Sequence, residues 1–202
     1  MGNIGIIGRA RTGKDTAGQW LVDNRGYRRV GFADPLKEAA LKLDPILQAE
    51  ESRGDWGDGD LRVSEAVKLF GWEAAKDQLP ETRRILQELG AAIRVIDEDF
   101  WLRAAMAKVQ EANEDGVPCV ITDVRYPNEA ASLKRADFHL VYIDRPGVPQ
   151  LDHESEGALT EDDADYTITN HGIRRSDFYA DVERFHLRVE QYESRRHFAR
   201  SL

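Results

Sequence analysis

The chain has 202 residues, 41% hydrophobic and 32% charged, with a formal net charge of −9. That length supports one domain with a full core, and the acidic balance argues against general attraction to nucleic acid or anionic membrane. Any anionic ligand therefore needs cations gathered locally. The single cysteine excludes an intrachain disulfide. Cys119 sits in the apolar run Cys119-Val120-Ile121 and reads as a small core residue rather than a nucleophile, as expected in a reducing cytoplasm. No signal-type segment precedes the first strand and no apolar run reaches membrane-spanning length, so the expectation is a soluble, cytoplasmic protein.

The first predicted element is a strand over Asn3–Gly8, followed by Gly8-Arg9-Ala10-Arg11-Thr12-Gly13-Lys14-Asp15-Thr16 and a helix over Lys14–Asn24 with Ala17, Trp20 and Leu21 at helical spacing. Strand, glycine-bounded loop and helix start in that order build an anion site from backbone. Glycines let successive N–H groups point inward, the helix adds its positive dipole end, and Lys14 adds a full charge. The pattern Gly-x4-Gly-Lys-[Ser/Thr] fits at every position but the last, where Asp15 stands and Thr16 comes one later. Gly8, Arg11, Gly13, Lys14, Asp15 and Thr16 are the candidates to surround a nucleotide phosphate there.

A second strand is expected over Arg28–Ala33 and a helix over Pro35–Leu43, with Asp34 as N-cap and Pro35 at the first helical position. Asp34 serves either as that cap or as a group facing a ligand, with Lys37 one turn on. Gln48–Asp60 is acidic and glycine-rich, a loop whose Asp55, Asp58 and Asp60 lack the alternating spacing of a calcium site. The helix expected over Glu81–Ile96 places Ile85, Leu89, Ile93 and Ile96 on one flank. Arg83, Gln87 and Arg94 fall within about 40° of one another on the opposite flank. Gly90 and Ala91 keep that face narrow. It reads either as a ligand-binding face or as a solvated one with Glu81 and Glu88 as partners.

A further helix is expected over Asp99–Glu114, then a strand over Cys119–Asp123 and a short helix over Asn128–Arg135. Asp123, at the tip of an apolar strand, is a candidate for a Mg²⁺ shell or a loop cap. Arg125 carries a planar fork suited to phosphate, or to a salt bridge with Asp123 or Glu129. A fourth strand over Phe138–Asp144 leads into a loop, Arg145–Leu159, long enough to be functional. His153 and Glu156 in it are either nucleotide contacts or a solvated pair. The last strand, Tyr166–Asn170, precedes a helix over Ser176–Arg195 whose Phe178, Val182, Phe185, Val189 and Tyr192 form core or a homodimer surface.

Strands alternating with helices give an α/β fold with a parallel sheet covered on both faces. Ligands of such sheets bind beyond the carboxyl ends of the strands. Gly8, Asp34, Asp123 with Arg125, Arg145 and Asn170 all fall at that edge.

Taken together, these residues resemble the deoxynucleoside monophosphate kinases of bacteriophages. The matching blocks are Gly-x4-Gly-Lys-Asp-Thr (8–16), Gly-Phe-Ala-Asp-Pro-Leu-Lys (31–37), Thr-Arg-Arg-Ile-Leu-Gln-Glu-Leu-Gly (82–90) and Ile-Thr-Asp-Val-Arg-Tyr-Pro-Asn-Glu (121–129). His-Glu-Ser-Glu (153–156) and Asp-Tyr-Thr-Ile-Thr-Asn-His-Gly (165–172) follow more weakly. The resemblance implies a three-layer α/β/α P-loop kinase fold with a five-stranded parallel sheet, in a single domain over 1–202. Its core would span 1–43 and 116–202, with an acceptor-binding helical insertion at about 44–115 and a lid at about 145–159.

By the same resemblance the reaction is phosphoryl transfer from ATP, with Mg²⁺, to a deoxynucleoside 5′-monophosphate, in the host cytoplasm if the gene is phage-borne. Lys14 would hold the β- and γ-phosphates, and Mg²⁺ would be bound through Asp15, Thr16 or Asp123. Arg94, Arg125 and Arg83 would grip the acceptor phosphate, with Gln87, Asp34 and Lys37 beside it. Arg145 would close over the transfer and Asn170 would contact adenine. Two rivals stand beside this reading: another small-molecule kinase of the dephospho-coenzyme A type, and a nucleotide-binding module of a DNA-handling or assembly machine.

Overall fold

Ile4, Gly5, Ile6 and Ile7 form β1 (Ile4–Ile7), buried at every position. A central parallel strand covered on both faces has no polar side to show, so it reads as a continuous apolar run. The computed structural model describes residues 2–48, 59–149 and 157–200. After β1 come α1 (Lys14–Arg25), β2 (Arg28–Arg29), α2 (Asp34–Leu43), β3 (Ile46–Gln48), β4 (Leu61–Arg62), α3 (Val63–Gln78) and α4 (Pro80–Ile96). There follow α5 (Phe100–Glu114), β5 (Cys119–Ile121), α6 (Pro127–Arg135), β6 (His139–Asp144), a 3-10 turn (Glu161–Asp163), β7 (Tyr166–Thr169) and α7 (Arg175–Arg200). The chain divides into two units, one made of Met1–Phe32 with Met106–Leu202 and the other of Ala33–Ala105.

The first unit is built on a five-stranded sheet in the order β2-β5-β1-β6-β7. Every pairing is parallel, with Ile4 opposite both Val120 and His139 and Val141 opposite Tyr166. The α/β fold with five parallel strands expected from the sequence is therefore present. Helix α1 buries Ala17, Gly18 and Leu21. On α7, Phe178, Val182, Phe185 and Val189 join the core made with Ile4, Ile6, Val141 and Ile143. Of the five apolar positions singled out on that helix, four are thus core, while Tyr192 is exposed. Cys119 is fully buried, and burial pushes its thiol up to about 11, so it stays a neutral core group.

Strand β2 is shorter than the stretch Arg28–Ala33 predicted. The Val30 N–H still reaches the Val120 carbonyl at 3.0 Å, but the Phe32 N–H turns to the Asp123 side chain at 3.1 Å, ending the ladder. Helix α2 also starts differently. Ala33 is its N-cap, in the right-handed region with no side-chain cap, so Asp34 is the first helical residue and Pro35 the second. Asp34 then acts on the helix through charge at its positive end rather than as a cap.

The second unit holds the antiparallel pair β3–β4 and the mutually packed α2, α3 and α4. Its core contains Leu47, Leu61, Val63, Ala66, Ala75 and Leu79. Neither the hairpin nor α3 was anticipated. Gly71 interrupts α3 with φ 74 and ψ 166, which breaks one helical period into two short ones. Positions 49–58, with Asp55 and Asp58, lie outside the described residues. Among the described residues no helix is long and apolar enough to cross a membrane.

Gly18 packs against the end of β5 so closely that an added Cβ would lie 2.2 Å from Thr122 Cγ2. Gly18→Ala would normally strengthen a helix by about 1 kcal/mol, but overpacking costs roughly 1–3 kcal/mol. The variant is expected to be destabilised, and urea denaturation checks the sign.

Candidate functional site

The loop after β1 is shaped by two glycines that nothing else can replace. Gly8 has φ 146, and a Cβ there would lie 2.5 Å from the Ile143 carbonyl oxygen. Gly13 has φ 114, and a Cβ would lie 2.8 Å from Asn170 Nδ2. Between them Arg11 also takes a positive φ, 63, which costs a non-glycine residue energy. The loop is then tied from inside: Thr12 is fully buried and its hydroxyl donates to the Arg9 carbonyl at 2.9 Å.

Lys14 begins α1 and folds back so that its Nζ donates to the Gly8 and Arg9 carbonyls, both at 2.6 Å. No side chain caps the N-terminus of α1. The N–H groups of its first turn and the dipole behind them therefore favour an anion at this point. Asp15 is exposed and accepts a hydrogen bond from the Thr122 hydroxyl at 2.8 Å, while Thr16, one residue on, is half-buried.

Because the strands are parallel, the residues after β1, β5, β6 and β7 share one edge of the sheet. Asn170 follows β7 and is buried. Its Nδ2 donates to the Thr12 carbonyl at 2.8 Å, and its Oδ1 accepts from the Gly172 N–H at 3.1 Å. The amide expected to touch adenine also braces the loop and the turn after β7. Arg145 follows β6 and lies against Gly172, where a Cβ would meet its Nη2 at 2.9 Å; its Nη1 reaches the Arg11 carbonyl at 3.4 Å.

Asp123 follows β5 and accepts from the Phe32 N–H. Arg125 is exposed, and its backbone N–H, like that of Tyr126, donates to Oε2 of Glu129 in the first turn of α6. Arg125 also lines a cavity of about 20 Å³ together with Gly8, Arg9, Lys14 and Leu159. Of the segment 145–159, positions 150–156 lie outside the described residues, His153 and Glu156 among them.

The second unit has a pocket of its own, about 290 Å³. Gln87, Gly90, Ala91 and Arg94 of α4 form one wall, Leu36 and Lys37 of α2 another, with Lys76 of α3 and Leu86. The narrow face expected around Gly90 is real: a Cβ there would lie 3.2 Å from Leu36 Cδ2, and the Gly90 carbonyl accepts from Trp101 Nε1 at 3.2 Å. Lys37 Nζ stands 6.0 Å from the Trp72 ring. Arg83 lies elsewhere on α4, exposed and 3.2 Å from Asp77, and Asp34 is not in the lining either. Glu81 pairs with Arg84 at 2.6 Å rather than with Arg83.

Three residues at these two places escaped the sequence reading. Arg9 was visible inside the loop, and Thr122 stood next to Asp123 in the 121–129 block. Lys76 gave no signal, because the interruption at Gly71 hides the period of its helix. Its Nζ is 2.7 Å from Glu73 Oε1, and that hydrogen bond is the main reason the Glu73 carboxyl lies below the usual range.

A family model for deoxynucleotide monophosphate kinase matches residues 61–180. A protein of Acanthamoeba polyphaga mimivirus, provisionally named a deoxynucleotide monophosphate kinase, is 32% identical over 165 residues, 77% of this chain and 81% of its own. The uncharacterized protein ORF77 of Ictalurid herpesvirus 1 (strain Auburn) is 36% identical over 107 residues, 50% of this chain and 46% of its own. Among solved structures, dephospho-CoA kinase from Campylobacter jejuni matches with a TM-score of 0.53 at 12% identity, over 96% of this chain and 100% of that one. That likeness establishes a P-loop kinase fold.

Replacing Asn170 with Ala leaves the Thr12 carbonyl without its side-chain donor in a buried setting. The expected loss of stability is about 1–3 kcal/mol. Urea denaturation of Asn170→Ala beside Asn170→Asp, which keeps the shape but not the donor, should show both destabilised.

Proposed function

We propose that this chain, which belongs to the deoxynucleotide monophosphate kinase family, transfers a phosphoryl group from ATP to a deoxynucleoside 5′-monophosphate. The observation that carries the reading is that each unit gathers cationic groups in a different build. The loop of the first unit offers glycine-shaped backbone, a helix N-terminus and Lys14, which suits a polyphosphate. The pocket of the second unit offers Lys37, Lys76, Arg94 and the Gln87 amide around apolar walls, which suits one phosphate attached to a flat, partly polar ring.

Phosphoryl transfer asks little covalent help of a protein; it needs two anions held in line and their charge met by fixed donors. Lys14 would move its ammonium from the Gly8 and Arg9 carbonyls to the donor's phosphate oxygens, exchanging neutral acceptors for charged ones. Arg94 would hold the acceptor phosphate, with Gln87 and Lys37 on the nucleoside. Arg125 and Arg145 would face the donor side, and the segment from Arg145 to Leu159 would serve as the lid that excludes water. Asn170 would act through the loop it braces.

The Thr16 hydroxyl and the Asp15 and Asp123 carboxylates are hard oxygen donors of the kind Mg²⁺ prefers, and they would hold it directly or through water. When bound, that ion neutralises charge on the phosphate oxygens. Among the described residues no cluster of three or more metal-binding side chains occurs.

The test is an acceptor panel with ATP and Mg²⁺: the common deoxynucleoside monophosphates, their ribose counterparts and dephospho-coenzyme A. Transfer to deoxynucleotides is expected. ATP hydrolysis stimulated by DNA, with no transfer to any monophosphate, would overturn the reading. Lys14→Ala should lower kcat by about 10²–10³ with the fold intact, as for other lost transition-state charge contacts. Arg94→Ala should raise the KM for the monophosphate by about 10-fold, the size of one charge-assisted contact, and spare ATP affinity. Separate titrations of the two ligands distinguish these outcomes.

A further inference from the structure

Resting on the reading above, we propose that Arg9 is a catalytic contact of the transferred phosphoryl group, presented to it by Asp144. Arg9 directly follows Gly8 and lines the same cavity as Lys14 and Arg125. Its backbone is fixed, since its carbonyl accepts from both Lys14 Nζ and the Thr12 hydroxyl. The side chain is fixed separately: Nη2 donates to Asp144 Oδ1 at 3.3 Å.

Asp144 is the last residue of β6, and its carbonyl accepts the Asn170 N–H at 2.7 Å, so its own position is set by the sheet. Tyr142, on the same face of β6, is the other neighbour. Burial pushes its phenol up, and the Arg9 guanidinium partly offsets this by charge and a side-chain hydrogen bond. A guanidinium has five N–H donors. Asp144 takes one, and the pair is only partly shielded, with side chains 26% and 35% exposed. A half-exposed ion pair adds little to stability, so stability alone does not explain an arginine at this place in the loop.

Charge demand points the same way. In the transfer an acceptor phosphate oxygen forms a bond to the γ-phosphorus while the bond from that phosphorus to the β,γ-bridging oxygen breaks. The bonding pair stays on the β-phosphate, and no proton is needed. A monophosphate dianion and ATP with four charges become two diphosphates with three each. The moving group carries charge on three oxygens, which several donors must meet. The segment 146–159 contains no arginine or lysine. The sheet edge does supply cations: Arg125 from beyond β5, Lys14 and Arg9 from the loop after β1, and Arg145 after β6.

The experiment compares Arg9→Met, Arg9→Lys, Asp144→Asn and the double variant Arg9→Met/Asp144→Asn. For Arg9→Met, kcat should fall about 10²-fold with both KM values within about threefold, as for a contact made only in the transition state. Lys should restore part of the loss. Asp144→Asn should lose less, and the double variant no more than Arg9→Met, because the two act as one unit. ADP affinity and Tm should stay near wild type, whereas a merely structural role would move both along with kcat. A second readout needs no acceptor: aluminium fluoride should tighten ADP binding to the wild type, and Arg9→Met should abolish most of that gain. Wild-type kcat or wild-type tightening in Arg9→Met overturns the proposal, as does an absence of tightening in the wild type. Failure of the acceptor panel with normal aluminium fluoride behaviour would instead sink the substrate assignment and leave Arg9 in place.

Discussion

A side chain at residue 8 would put its Cβ 2.5 Å from the Ile143 carbonyl oxygen, and the phosphate loop depends on that exclusion. Strands β1 and β6 are paired in parallel up to Ile7 and Tyr142, so the chain leaves the sheet beside the backbone of its neighbour. Only a residue without a Cβ can turn there at φ 146. The turn brings the Gly8 and Arg9 carbonyls round to where Lys14 Nζ meets both. One close approach between two backbones thus fixes the start of the loop, and the helix that follows fixes its end.

The loop is also braced from both flanks by residues that need touch no ligand. On the β7 side, Asn170 holds the Thr12 carbonyl, and its amide stands where Gly13 must lack a side chain. On the β5 side, Thr122 donates to Asp15, and its methyl fills the space that Gly18 leaves on α1. A binding site made of backbone has few side chains with which to tune it. Its precision has to come from such supports.

The sequence carried these features unequally. Strands β1 and β5 were the most legible, because a buried parallel strand is apolar throughout and stands out from its surroundings, whereas β2 is two exposed arginines and was found only through the apolar residues that follow it. The face of α4 that holds Gln87 and Arg94 was equally legible, since its helix runs unbroken over Pro80–Ile96. Arg83 shows the limit of that periodicity: it shares the face of Gln87 and Arg94, but lies one turn nearer the start of the helix, where it pairs with Asp77 instead of lining the pocket. Helix α3 was illegible for a different reason. Gly71 divides it, and each half is too short to declare a period, so Lys76 could not be connected to the pocket it lines. The start of α2 misled because Asp-Pro is an ordinary capping signal, whereas Ala33 occupies the cap without using a side chain.

A net charge of −9 would repel the phosphates such a protein needs to bind, unless its cations are both concentrated and oriented. Several of them are held by carboxylates: Arg9 by Asp144 at 3.3 Å and Lys76 by Glu73 at 2.7 Å. These partners are partly or largely exposed, so each pair is a weak one in water. A weak pair still restricts a long side chain to one direction, and a phosphate, with more charge and more acceptor oxygens than a carboxylate, can compete for it. The acidic surface and the anion sites are then parts of one arrangement. The carboxylates of Asp144 and Glu73 hold Arg9 and Lys76 each to one direction, and a phosphate bound beside either cation would compete with its carboxylate.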